Sequence, residues 1–271
     1  MSPQELRAYF ERPIAELLED SRADAAHEAL LDQLESGAVR AAERDAAGNW
    51  NANTWVKQAI LLGFRRSAVV DYSTERFAFF DKSGFPARQL ALEDGVRIVP
   101  GGTSVRRGAY VAKGVVIMPP AYINVGAWVG EQSMIDSHAL VGSCAQIGAR
   151  VHLSAGAQVG GVLEPAGAVP VVVEDEAFVG ALTGLFEGVC VRRRAVLAPG
   201  VILTGSNIIY DLVHGRELRR EIPEGAVVVP GSRPASGEFA RKRGLQLAAP
   251  TIVKYRDAKT DAATALEEAL R

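Results

Sequence analysis

Six cations, Arg241, Lys242, Arg243, Lys254, Arg256 and Lys259, crowd into residues 237–259 against two acids, Glu238 and Asp257. In a chain of formal net charge -2 this local excess suits phosphate groups, although a solvated face has the same composition. No glycine-rich loop opens a helix, so a nucleoside triphosphate has no P-loop to sit in. Other groups able to do chemistry are sparse. Of the four histidines, His138 and His152 fall in the β-rich middle. They are candidate bases, imidazole being the side chain that changes charge near neutral pH. A three-ligand zinc site would need a further ligand from elsewhere, because these two stand 14 residues apart, and no metal is expected. Cys144 and Cys190 make neither a disulfide framework nor a metal-ligand spacing and fit a reducing compartment. Cys144 reads as a small buried residue and not as a nucleophile.

The elements that must position these groups change along the chain. Residues 1 to about 66 are rich in Ala, Glu, Leu and Arg, whereas residues 105–204 are rich in Val, Ile and Gly, so a helical head precedes a β body. Leu6, Phe10, Ile14 and Leu17 recur at helical spacing, as do Ala26, Ala29, Leu30 and Leu34 before a stop at Gly37. A third helix is expected after Asn53, with Asn53 or Thr54 as cap and Trp55, Ala59, Ile60 and Leu62 as its apolar stripe, ending before Arg65.

In the body the repeat is six. From Val105 ten successive sixth positions are aliphatic, through Val111, Ile117, Ile123, Val129, Ile135, Val141, Ile147 and Leu153 to Val159. After an interruption six more follow, Val173, Val179, Leu185, Val191, Leu197 and Leu203. With half of positions apolar, chance gives such a run on the order of once in 10^5 trials. A period of six fits neither a helix nor a simple hairpin ladder, but it fits a coil of three short faces, each with one inward aliphatic. Gly follows the aliphatic in VGE, VGS, IGA, VGG and VGA, where the chain must turn tightly or pack closely. The expected organisation is an N-terminal helical domain over 1–96, a parallel β-helix over 97–232 and a C-terminal capping segment over 233–271, with the ends of the stack covered as repeat arrays require.

Several function classes are disfavoured. The balance of 30 basic and 32 acidic residues lacks the excess that nucleic-acid binding demands. No apolar run approaches the roughly 18 residues needed to span a bilayer, and the opening MSPQELRAYFERP is charged where a signal peptide would be apolar, so a cytoplasmic location without membrane partners is expected.

The segments VRIVPGGTSVRRGAYVAKGVVIMPPAYINVGAWVG, SMIDSHALVGSCAQIGARVHLSAGAQVGGVLEP and VVVPGSRP, with WVKQAILLGFRR before them and VKYRDAKT after, resemble the hexapeptide-repeat acyltransferases. Within these they are most similar to the tetrahydrodipicolinate N-succinyltransferase family of lysine and diaminopimelate biosynthesis. The resemblance covers nearly the whole chain. It implies a mainly β fold with a left-handed parallel β-helix, a homotrimer with sites between subunits, and succinyl-CoA as co-substrate with no tightly bound cofactor. The amine of the ring-opened substrate would attack the thioester. Arg97, in VRIVP, and Asp136, in SMIDS, match positions that contact the substrate, with Asp136 also the catalytic carboxylate; Arg106, in SVRRGAY, is placed with them. The plainer alternatives are a surface salt bridge or packing against the head for Arg97 and a solvated corner for Asp136. The cationic tail would then serve coenzyme A, with Arg233 in GSRP, Arg241, Lys242 and Lys254 as its contacts.

One departure bears on the chemistry. Family members carry a glutamate in a stretch resembling GARSEVVEG, where this chain reads GALTGLFEG with Gly184 at that position. Glu187 matches the second glutamate but sits elsewhere in the hexapeptide. Either Asp136 acts largely alone, or substrate or donor differs, and an acetyl-CoA-dependent N-acetyltransferase is the alternative. A metal-binding or scaffolding β-helix trimer is the reading from another class.

Overall fold

The computed structural model describes residues 1–257; Lys259 of the cationic run and the rest of 258–271 lie outside them. Residues from Arg97 onward wind into a left-handed parallel β-helix with three faces. The first face carries Arg97–Ile98, Val116–Ile117, Met134–Ile135, His152–Leu153, Phe178–Val179 and Val196–Leu197, each pairing in parallel with the next. The second runs from Ser104–Val105 to Ile202–Leu203 and the third from Tyr110–Val111 to Glu221–Ile222, six strands each. All sixteen expected inward aliphatics are buried in one continuous core, none above 5% exposed.

The corners refine the glycine argument. Gly130 and Gly180 follow the inward residue because a Cβ there would fall 2.5 Å and 2.6 Å from backbone atoms of the next coil. Close approach, and not a left-handed turn, demands them. The positive φ comes two residues later, and non-glycines hold it at several corners, among them His138 at 62° and Cys144 at 65°.

The interruption of the repeat is a loop between Gln158–Val159 and Val172–Val173, pinned by the head. Lys57, 0% exposed, sends its ammonium to Ala168 O at 2.6 Å and Pro165 O at 3.2 Å.

The head contains four helices, α1 (Pro3–Phe10), α2 (Ile14–Glu19), α3 (Ala23–Glu35) and α4 (Thr54–Arg66). The stripe Leu6, Phe10, Ile14, Leu17 is shared by two helices and not one, because Pro13 has no N–H to continue the ladder. Asn53 stands at the N-cap of α4, but its side chain donates to Arg40 O at 2.8 Å instead of capping. The short hairpins Ala42–Arg44 with Trp50–Ala52 and Val69–Asp71 with Phe80–Lys82 were not anticipated. The helices pack onto the corner between the second and third faces through Val125 and Cys144, both 0% exposed. At the far end the first face grows by Ala226–Val229, Thr251–Tyr255, Ile209–Asp211 and Arg216–Leu218, which close the stack.

Candidate active site

Asp136 follows the inward Ile135 and opens the corner between the first and second faces. Its amide donates to Leu153 O at 2.9 Å, and its Oδ1 accepts the Ser137 amide at 2.6 Å, which orients the carboxylate. Its side chain is 29% exposed, and Oδ2 stands 3.9 Å from His152 Nε2. His152 lies one coil above Met134 in strict register, is 7% exposed, and meets the ring of Phe178 edge-on at 5.1 Å. The carboxylate therefore has an aromatic and imidazole wall on one side and solvent on the other.

Arg97 belongs to the first strand of the same face. It pairs with Val116, which pairs with Met134, so two strand spacings along the axis and two residues across separate it from Asp136. At ~4.8 Å per strand and ~3.3 Å per residue the Cα atoms are roughly 12 Å apart. The Arg97 side chain is exposed and makes no hydrogen bond or ion pair with the described residues. A cationic fork and a carboxylate thus share one wall.

Arg106 is held elsewhere. It lies on the second face, 12% exposed, and pairs with Asp81 while donating to Phe85 O at 3.1 Å and Asn124 Oδ1 at 3.4 Å. The structure does not bring it beside Arg97 and Asp136. The tail cations are dispersed too. Arg233 sits on a strand paired with Gln246–Ala248, Arg241 and Lys242 on the short helix Glu238–Arg243, and Lys254 on Thr251–Tyr255 in the extended first face. Lys242 pairs with Glu238 at 2.8 Å and Lys254 with Asp257 at 3.2 Å, both near the surface.

Gly184 is an outward position of the second face. A Cβ on it would meet the Phe186 ring at 2.6 Å and Ile202 Cδ1 at 2.9 Å, so these two side chains occupy the room a longer residue would take. Glu187 is exposed and accepts the Gly205 amide at 3.0 Å, closing a turn. His138 is exposed at the same corner as Asp136. Cys144 is 0% exposed and burial pushes its thiol up to about 12, which removes it as a nucleophile near neutral pH. No group of three or more potential metal ligands occurs among the described residues.

Sequence reasoning weighed His152 and Asp136 separately and missed their adjacency. The signal was available: three hexapeptides make one coil, so residue 152 stands 18 positions on and directly above residue 134.

A family model described as tetrahydrodipicolinate N-succinyltransferase N-terminal matches residues 4–65. A 2,3,4,5-tetrahydropyridine-2,6-dicarboxylate N-succinyltransferase of Nitrobacter hamburgensis is 44% identical over 248 residues, covering 89% of this chain and 87% of that protein. The protein of the same name from Leptothrix cholodnii is 45% identical over 249 residues, with the same coverage. A crystal structure from Campylobacter jejuni, described as a 2,3,4,5-tetrahydropyridine-2-carboxylate N-succinyltransferase, superposes with a TM-score of 0.52 at 16% identity, over 89% of this chain and 64% of that one, and supports the fold alone. With relatives this similar over nearly its whole length, and with the β-helix and helical head in place, the chain belongs to the 2,3,4,5-tetrahydropyridine-2,6-dicarboxylate N-succinyltransferase family.

Proposed function

We propose that the protein transfers the succinyl group of succinyl-CoA to the amine of ring-opened tetrahydrodipicolinate, with Asp136 as the proton acceptor and Arg97 as the anchor for a substrate carboxylate. The observation that carries the reading of the site is the shared wall: Asp136, oriented by the Ser137 amide, stands two strands from an exposed Arg97 with no protein partner among the described residues. Hydration opens the ring and frees a primary amine. The amine nitrogen attacks the thioester carbonyl carbon, the C–S bond breaks, coenzyme A leaves as thiol, and an amide remains. The nitrogen must lose a proton as it bonds, and a carboxylate within reach supplies the acceptor. His152, 3.9 Å behind Asp136, limits where that carboxylate can swing.

The groove for the coenzyme is proposed along the prism toward Arg233, Arg241, Lys242 and Lys254. A homotrimer is part of the same reading: the wall carrying Arg97 and Asp136 is open on one side, and a second subunit laid against it would enclose the thioester. Closed threefold symmetry then gives three equal sites. No described helix is long and apolar enough to cross a membrane, and both cysteines are free, which supports a cytoplasmic location.

The test offers succinyl-CoA and acetyl-CoA, each with tetrahydrodipicolinate or the acyclic 2-aminopimelate, and follows free thiol. Succinyl-CoA should be preferred at least tenfold in kcat/KM. Equal or greater use of acetyl-CoA would assign the donor to the alternative, and no turnover with either would remove the acyltransferase reading. Light scattering at micromolar concentration should report a trimer, and a monomer would contradict the shared site.

A further inference from the structure

A cavity of about 640 Å3 lies between the hairpin of residues 42–52 and the third face, away from the corner that carries Asp136. Arg40 projects into it. Its guanidinium carbon stands 3.8 Å over the Trp128 ring and 5.5 Å from the Trp50 ring, and its Nε donates to Gln146 Oε1 at 3.0 Å. Gln146 is itself 1% exposed and fixed by its amide to Cys144 O at 2.9 Å, so the guanidinium has a rigid seat. No carboxylate among the described residues forms an ion pair with it. Burial pushes it down to about 10, with the charges of Glu43 and Asp175 only partly offsetting the loss of water.

The other charged groups of the cavity sort into engaged and free. Arg44 approaches Glu174 at 3.8 Å, Arg193 pairs with Glu176 at 2.7 Å, and Glu131 approaches Arg150 at 4.0 Å. Lys113 has no partner among the described residues, and Asp175 uses only Oδ1, which accepts the Ala149 amide at 2.9 Å. What remains in the lining is a fork, an ammonium and one free carboxylate oxygen. A clamp that merely docked the hairpin on the prism would need the stacked plane of Arg40, but neither its unpaired terminal N–H groups nor a half-engaged acid in the same cavity.

We propose that this cavity is a binding site for a small zwitterion of the amino-acid class, its carboxylate taken by Arg40 and Lys113 and its ammonium by Asp175. The ligand supplies the paired counterion that the half-buried guanidinium lacks, and bidentate pairing suits a carboxylate better than a spherical anion. The volume lies within the 300–1,000 Å3 range of small-molecule sites. The site is separate from Asp136, so the proposal does not rest on the acyltransferase reading.

Thermal unfolding of the full chain is followed with glycine, L-leucine, L-glutamate and L-lysine, each at about 10 mM, beside the N-acetyl and carboxamide derivatives of each. At least one free amino acid should raise Tm by about 2–4 °C, as expected when ligand exceeds Kd about tenfold, and its two blocked forms should not. Asp175→Asn keeps the acceptor for Ala149 while removing the charge, and it should abolish the rise, as should Lys113→Ala and Arg40→Gln. Turnover of Asp175→Asn without added amino acid should stay within about twofold of wild type. The proposal fails if no free amino acid shifts the wild-type Tm, or if the shift persists in Asp175→Asn and Lys113→Ala.

Discussion

Replacing Asp136 by Asn isolates its charge. The Asn Oδ1 can keep the 2.6 Å bond from the Ser137 amide, so the side-chain rotamer is retained. The new amide nitrogen takes the place of Oδ2, on a side chain 29% exposed and 3.9 Å from His152, where water can satisfy it. Stability should therefore change by no more than about 0.5 kcal/mol, the range of surface substitutions. Catalysis should change far more. General-base contributions of about 10^2 to 10^4 correspond to roughly 3–5 kcal/mol of barrier. Because Phe186 and Ile202 fill the position at Gly184, no second carboxylate stands there to take over, and the loss should lie toward the upper part of that range. The assay is thiol release at saturating donor and acceptor, read with a disulfide reagent. Background from the protein is small because burial pushes both Cys144 and Cys190 up to about 12. Tm and oligomer mass are measured on the same samples. If Asp136→Asn keeps more than about a third of wild-type turnover, Asp136 is not the base, and His138, His152 or Glu187 takes its place as the residue to substitute.

Arg97→Lys replaces a fork by a point charge, so KM for the amino-dicarboxylate should rise about tenfold while KM for the acyl-CoA stays within about twofold; equal losses in steady-state kinetics would detach Arg97 from the substrate carboxylate. Gly184→Glu drives a Cβ to within 2.6 Å of the Phe186 ring and should cost about 1–3 kcal/mol in urea unfolding, with the added change Phe186→Ala recovering at least half; additive losses would mean that the ring is not what blocks the site. Asp211 is 1% exposed; burial raises its pKa, but bonds from His214, Tyr255 and Arg216 outweigh that and hold it well below the usual carboxylate range. A depressed carboxylate stabilises the fold above its unfolded pKa, so wild type should exceed Asp211→Asn in Tm at pH 7 and the gap should shrink as pH falls below about 4; a gap independent of pH would assign it to packing.

The repeat was legible because inward positions of a β-helix tolerate little but Val, Ile and Leu, and sixteen of them at one period outweigh any local ambiguity. Pro13 also announced the break between α1 and α2, but a stripe that remains in phase across it reads as one helix. Other features had no local signature. The Asp81 that engages Arg106 lies 25 residues away on a three-residue hairpin strand, and Gln146 that seats Arg40 lies 106 residues away. Such pairs exist only after the head docks on the prism, and no spacing rule reaches across that interface.

The same geometry explains which substitutions can change function without disturbing the fold. In each two-residue strand the inward member carries the core, while the outward member and the residue after the strand lie on the outside of the coil. Asp136, His152 and Gly184 occupy those outward slots, beside Ile135, Leu153 and Leu185, each 0% exposed. A glycine at 184, with Phe186 and Ile202 filling the room beside it, leaves the inward ladder intact and shapes only the outside of the second face. The core positions therefore report the architecture, and the chemistry must be read from their immediate neighbours, where one changed side chain in contact with Phe186 would redraw the outer surface of the coil.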